Sequence, residues 1–215
     1  EELKNKRKWD EAFVKLAYGS CASGMAVVRH RHIGPYCRTF VKQIEGHFYN
    51  SFQIQAIEQS AEIELLNFLI AEHAMVQRSI PKLTVDGQNF DVRVVIIGGE
   101  VAATVFRVSP HPMTNLHLGG RRGDEATCRR VIPQRYWLDG LDACVEAAEL
   151  FDLPAVGIDL AFDQRDYSPQ ILEVNAFGDF FPHWKNADGV SLHTLEIAAT
   201  ARRLEIAGFG IKGSV

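Results

Sequence analysis

The pattern of apolar and polar positions divides the chain into short strand-like runs and three stretches of helical spacing. Asp91–Ile97 (DVRVVII) is the clearest strand, and Gly98-Gly99 turns it into a second arm, Glu100–Val108, as a two-glycine hairpin. Other strands are expected at Ala12–Tyr18, Met25–Arg31 and Ala74–Ile80, the last ending at Pro81. Arg38–Ile44 and Phe48–Ile57 form a hairpin around Glu45-Gly46-His47. Ala155–Phe162 and Gln170–Asn175 form another, around a polar loop holding Asp163, Asp166, Ser168 and Pro169. A helix capped by Ser60 and running to His73 presents Ala61, Leu65, Phe68 and Leu69. Gln134–Phe151 presents Leu138, Leu141, Val145 and Ala148, and residues 191–206 present Leu192, Leu195, Ala199 and Arg203.

Charged residues interrupt this pattern in informative places. In the hairpin ending at Asn175, Ile158, Leu160 and Phe162 share one face with Leu172 and Val174. The other face then carries Asp159, Glu173 and Asn175. Symmetric closure sets Asp159 opposite Glu173 and Asn175 opposite Gly157. Facing like charges destabilise a ladder, and a hard divalent cation reverses that sign. A solvated polar face is the competing reading of this stretch by itself. On the glycine hairpin, Asp91, Arg93 and Val95 share one face of the first arm, and Ala103, Val105 and Arg107 share one face of the second. Arginines in apolar strands are costly unless an anion or a carboxylate meets them. Lys15 precedes six small residues, Gly19 to Gly24, whose backbone N–H groups can approach a phosphate closely; a plain hairpin turn is the alternative. His30 and His32 share a face but lack a third ligand nearby.

Composition narrows the classes. The chain has 215 residues, 47% hydrophobic and 23% charged, with a net charge of −4. That is the profile of an ordinary globular protein and not of a general nucleic-acid binder, although Lys4–Lys8, Arg121–Arg122 and Arg129–Arg130 are locally basic. No apolar run approaches the roughly 20 residues that span a bilayer. Cys21, Cys37, Cys128 and Cys144 show no C-x-x-C spacing, so free thiols in a reducing cytoplasm are expected.

Taken in order, Lys15 with its small-residue loop, Val76-Gln77 before a proline, Asp91-Val92-Arg93, Arg107, Asn115-Leu116-His117-Leu118-Gly119-Gly120, Gly157-Ile158-Asp159 and Glu173-Val174-Asn175 together resemble the ATP-grasp superfamily. The likeness is to the branch that includes the ribosomal-protein S6 glutamate ligase, and it covers roughly Phe13 to Pro182. The resemblance implies an α+β fold in which two subdomains with antiparallel sheets clamp a nucleotide. Here 12–80 would be the small subdomain and 81–215 the large one. It implies an ATP-dependent, ADP-forming carboxylate–amine ligase acting through an acyl phosphate.

Carried over, Lys15 would reach the phosphates, Ser20, Cys21, Ala22, Ser23 and Gly24 would close over them, and Gln77, Arg78 and Ile80 would form the adenine-side hinge. Arg93, Arg107 and Asn115 would be the catalytic set, the arginines holding γ-phosphate, acyl phosphate or substrate carboxylate. Asp159, Glu173 and Asn175 would hold one or two Mg²⁺ ions, with Mn²⁺ as a substitute. His117 is a candidate proton acceptor for the amine. The implied partners are ATP, a carboxylate substrate and an amine or thiol acceptor, a peptide or protein among the candidates, with no nucleic acid and no membrane.

Departures accompany the likeness. Few residues precede the Lys15 strand, so the expectation is a C-terminal ATP-grasp core without the preceding domain. Arg78 stands where the glutamate ligase has an acidic residue, and Lys82 offers no carboxylate to a ribose. Residues 176–184, AFGDFFPHW, replace a small-residue turn and either line an unusual substrate pocket or pack under the sheet, the second being the expectation. A kinase using the same clamp and a nucleotide-binding module without chemistry are the alternatives.

Overall fold

The structure, a computed structural model, describes residues 9–18, 23–31, 34–176, 181 and 183–207. Backbone contacts divide the chain into two units, Glu1–Ile80 with Asn115–Gly120, and Pro81–Thr114 with Arg121–Val215. Asn115–Gly120 thus groups with the first unit although it lies within the 81–215 stretch of the sequence. Lys4–Lys8, Ser20, Cys21, Ala22, His32, Phe177–Phe180 and Pro182 lie outside the described residues, as do the side chains of His30 and His117.

In the first unit, β1 (Glu11–Lys15), β2 (Met25–Arg31), β3 (Gly34–Ile44), β4 (His47–Ile57) and β5 (Met75–Arg78) make one antiparallel sheet in the order β4-β3-β2-β1-β5. The β3–β4 turn places Glu45 and Gly46 at positive φ, the sense that matches the right-handed twist of a two-residue hairpin. Helix α1 (Gln59–Ala71) lays Leu65 and Leu69 on Val14, Ala26, Val28, Cys37 and Val41. Its cap residue is Glu58 and not Ser60, which lies inside the first turn. The helix ends as His73 turns left-handed and the Ala74 N–H donates back to the Leu69 carbonyl at 2.9 Å.

The second unit holds β6 (Thr84–Val85), β7 (Gln88–Ile97), β8 (Glu100–Ser109), β9 (Arg121–Arg122), β10 (Ala155–Phe162) and β11 (Pro169–Asn175), in the antiparallel order β11-β10-β7-β8-β9 with β6 on β7. Alternation sends Phe90, Val92, Val94 and Ile96 of β7, Phe106 and Val108 of β8, and Ile158, Leu160 and Phe162 of β10 to one face. Cys128 of α2 (Glu125–Arg130) and Trp137 and Cys144 of α3 (Gln134–Glu149) complete that core. Each large apolar side chain so buried contributes about 1.5–3 kcal/mol relative to exposure. Trp137 and Cys144 carry the buried stripe of α3, and the expected Leu138 is exposed, because the helix is rotated to stack Trp137 on Phe106 with ring centroids 5.6 Å apart.

Two register shifts interrupt the ladders of this second sheet. One lies between Val95 and Ile96 and leaves Ala102 as the extra residue of β8; the other lies between Asp159 and Leu160 and leaves Leu172 as the extra residue of β11. Ile171, not the expected Leu172, is therefore the partner of Leu160 and joins the core with Val174. Asp159 does face Glu173, and Gly157 faces Asn175.

The opposite face of this sheet has two halves. Val95, Ile97, Ala103 and Ala155 form a second apolar cluster with Phe181 and with Leu192 of α4 (Leu192–Ile206). Trp184 packs against it, so Phe181 and Trp184 of the aromatic segment pack on the sheet as expected, while His183 is exposed. The other half is charged.

Candidate active site

Asp91 and Arg93 follow the odd positions of β7, away from the helix-covered core, and adjacent strands add their partners. Asp91 pairs in register with Arg107 of β8, and Arg93 with Asp159 of β10. All four side chains are buried, together with Lys82 and Thr114. Buried charges must be paired, and these form a string. Lys82 Nζ donates to Asp91 Oδ2 at 2.9 Å and to Thr114 Oγ1 at 3.1 Å. Thr114 Oγ1 in turn donates to the same Asp91 oxygen. Arg107 Nε donates to Asp91 Oδ1 at 2.8 Å, and its Nη2 reaches Asp159 Oδ2 at 3.0 Å. Arg93 Nε donates to Asp159 Oδ1 at 2.5 Å.

The string reads cation, anion, cation, anion, cation. Three cations and two carboxylates thus alternate through hydrogen bonds in a buried place. Burial pushes the Asp91 carboxyl upward, but the charges of Lys82 and Arg107 and the hydrogen bonds from Arg107 and Thr114 outweigh it and hold the group well below the usual carboxylate range. Burial opposes the Arg107 charge as well, yet Asp91 and Asp159 raise its pKa above the ordinary guanidinium value. Asp91 and Arg107 therefore stay ionised throughout the physiological range.

The string changes the reading of the facing carboxylates. Asp159 is compensated by two guanidiniums, so a cation is not required to relieve its repulsion with Glu173. The donor set nonetheless fits a hard dication, because everything offered is oxygen. Glu173 is exposed and has no hydrogen-bond or ion-pair partner among the described residues. Asn175 gives its Nδ2 to the Gly157 carbonyl at 3.3 Å, which turns Oδ1 away as a free acceptor. No three His, Cys, Asp or Glu side chains gather into a metal cluster among the described residues, so Asn175 would have to complete the set.

In the first unit, Lys15 and Gln77 lie on one sheet face, where Lys15 Nζ donates to Gln77 Oε1 at 2.8 Å. Arg78 ends β5 with an exposed side chain, and Ile80 lies beyond the ladder, half-buried. Of the small-residue loop, Ser23 and Gly24 are described. Asn50 on β4 holds both, donating to Ser23 Oγ at 2.7 Å and accepting the Gly24 N–H at 3.1 Å. Gly24 has φ +58°, and a Cβ there would meet the Leu16 side chain at 2.4 Å, so this position admits glycine on two counts. Asn115 precedes the 3₁₀ turn Leu116–Leu118, and its carbonyl accepts from Leu118 N at 3.0 Å and Gly120 N at 3.2 Å.

Lys82, Thr114 and Asn50 were not legible as site residues. Lys82 follows a proline in irregular chain, where no periodicity tells which way a side chain points. Asp91 gave the one available signal, a carboxylate in an apolar strand that needs a cation.

Comparison with known proteins gives this arrangement a context. A RimK-like ATP-grasp domain matches residues 27–180. A Methanococcoides burtonii protein named "Probable alpha-L-glutamate ligase" is 27% identical over 139 residues, and the Escherichia coli ribosomal protein bS6–L-glutamate ligase is 29% identical over 139 residues. Each alignment covers 63% of this chain and 41% of the relative, so the chain spans well under half the length of either. Among solved structures, the macrocyclase MdnC bound with precursor peptide MdnA from Microcystis aeruginosa MRC covers 94% of this chain and 50% of its own, at 14% identity and a TM-score of 0.46. With a match over most of its residues and two antiparallel sheets bearing a few helices, the chain belongs to the RimK-like ATP-grasp family.

Proposed function

We propose that this chain is the ATP-grasp core of an ADP-forming ligase that joins a carboxylate to an amine through an acyl phosphate. The observation that carries the reading is the buried string Lys82–Asp91–Arg107–Asp159–Arg93, whose Asp159 lies in register with Glu173 and two residues from Gly157, the partner of Asn175. The ligase names of the two relatives support the reaction class.

Bringing a carboxylate to a γ-phosphate sets two anions together, and positive charge already in place lowers that barrier without reorganisation. Arg93 and Arg107 are assigned to the transferred phosphoryl group and the substrate carboxylate. A carboxylate oxygen attacks the γ-phosphorus, the bond to the β-phosphate oxygen breaks, and ADP leaves. The amine nitrogen then attacks the acyl carbon, inorganic phosphate departs, and the nitrogen loses a proton. The first step needs no base, since the carboxylate is already ionised at neutral pH. Lys15 and the Ser20–Gly24 loop are assigned to the nucleotide phosphates, Gln77, Arg78 and Ile80 to the adenine side, and Asn115 to the catalytic set. Asp159, Glu173 and Asn175 would hold Mg²⁺, which when bound draws charge from the phosphate oxygens. The buried free thiols Cys37, Cys128 and Cys144 are in keeping with a reducing cytoplasm, where we place the protein.

The test is calorimetric binding of Mg·ATP to wild type, Lys15→Ala and Glu173→Gln. Weakened binding in both variants supports the assignment, and unchanged binding in both overturns it. Product analysis with candidate carboxylates and amines separates a ligase, which needs both for full turnover, from a kinase, which stops at the phosphorylated acceptor.

A further inference from the structure

Lys82 has no role in the mechanism above, yet its ammonium group is buried and fixed from two directions. Its backbone is clamped to the end of β10: Lys82 bridges Asp163, Leu83 N donates to the Phe162 carbonyl at 2.8 Å, and Gln164 N donates to the Pro81 carbonyl at 2.8 Å. Its side chain ends on Asp91 Oδ2 and Thr114 Oγ1, and Thr114 closes the triangle by donating to the same carboxylate oxygen. A buried lysine costs more than almost any other residue unless its charge is used, so this clamp calls for a purpose.

The use lies one residue further along. With Oδ2 occupied by Lys82 and Thr114, Asp91 offers only Oδ1 to Arg107. Asp91 and Asp159 engage the Arg107 Nε and Nη2 atoms, which fixes the guanidinium plane and leaves the remaining N–H donors of its fork without an acceptor among the described residues. The Lys82 charge also offsets Asp91, so the Arg107 charge is not consumed by its own neighbour.

We propose that Lys82 is a positioning residue that acts through Asp91, holding Arg107 in place and keeping its charge available for the phosphoryl group transferred from ATP. The inference rests on the assignment of Arg107 to that group. ADP lacks the γ-phosphate, so the ratio of ADP to ATP dissociation constants reads the effect apart from general damage to the fold or to nucleotide binding.

The experiment measures Mg·ATP and Mg·ADP binding by calorimetry for the full chain, Lys82→Met, Asp91→Asn and the double variant. Loss of one charge-assisted contact predicts that Lys82→Met weakens ATP about tenfold. ADP affinity should stay within about twofold, inside the context dependence of such effects. In the Asp91→Asn background, Lys82→Met should add no further change, because the group it acts through is gone. Equal weakening of ATP and ADP would make Lys82 merely structural and overturn the proposal. So would a full additional effect in the Asp91→Asn background, which means direct contact with the nucleotide. If Lys82→Met does not fold, Thr114→Val tests the same link with every charge retained, and an unchanged ATP-to-ADP ratio there overturns it. If wild type binds neither nucleotide, the functional assignment itself fails and this inference falls with it.

Discussion

The sheet of the second unit has one set of strands and two unlike faces. Against α2 and α3, Phe90, Val92, Val94, Phe106, Ile158, Leu160 and Phe162 are buried by apolar packing, which is non-directional and tolerates volume-conserving exchange. On the other face, Asp91, Arg93, Arg107 and Asp159 are equally buried but depend on angles, distances and the balance of charge. Well-packed apolar residues in place of such a network are often neutral or stabilising. Stability alone therefore does not explain the second face, and the proposed phosphoryl chemistry supplies a reason for it.

This contrast can be broken experimentally, most severely first. Phe106→Ala opens a cavity beside Trp137 and should cost about 3–5 kcal/mol in urea unfolding, while folded protein keeps its Mg·ATP affinity. Arg107→Met should reverse that emphasis. Turnover should fall by about 10²–10³-fold, as when one preorganised donor is removed, in a stopped assay of ADP release. If instead Arg107→Met lost only stability and kept turnover, the charged face would be structural.

Acid should act on the charged face first. The Asp91 carboxyl is depressed in the folded protein and titrates near 3.9 when unfolded, so its contribution is complete above about pH 4 and lost as pH falls through the folded value. A shallower acid limb of stability against pH in Asp91→Asn would check this. At the alkaline end, burial pushes the Cys144 thiol up to about 12, as burial and Glu62 do for Cys37. Their contributions are complete below the unfolded thiol value of about 8.5 and fade as pH rises toward the folded one. The smallest expected change is Glu173→Gln, within about 0.5 kcal/mol of wild-type stability because the side chain is exposed. Its effect should appear only in the Mg²⁺ dependence of nucleotide binding.

Much of this was legible in the chain itself, though unevenly. The glycine hairpin and the strand Ala155–Phe162 followed from alternation and turn residues, and the facing of Asp159 with Glu173 from symmetric closure. Alternation also singled out Arg93 and Arg107 as charges in need of a partner. It did not reveal that Asp91 and Asp159 would be those partners, because pairing across strands distant in sequence leaves no local signature. Lys82 and Thr114 enter the site from irregular segments, whose side-chain directions are set by tertiary contacts. Leu138 illustrates the opposite failure: its spacing suited the apolar stripe, but the bulk of Trp137 decided the rotation of the helix.

The extra residues Ala102 and Leu172 have a consequence that resembles a reading frame. Counted from the Gly98-Gly99 turn through Ile97–Glu100 and Ile96–Val101, an unbroken ladder would set Asp91 against Phe106 and aim Arg107 at the helices. Counted from the Phe162–Pro169 end, an unbroken second ladder would set Asp159 against Leu172 and turn Glu173 toward the core. Each insertion shifts the phase of one strand by a single step, and together the two bring cations and carboxylates to one side. Deleting either residue would leave composition and length almost untouched and exchange the inside of a strand for its outside.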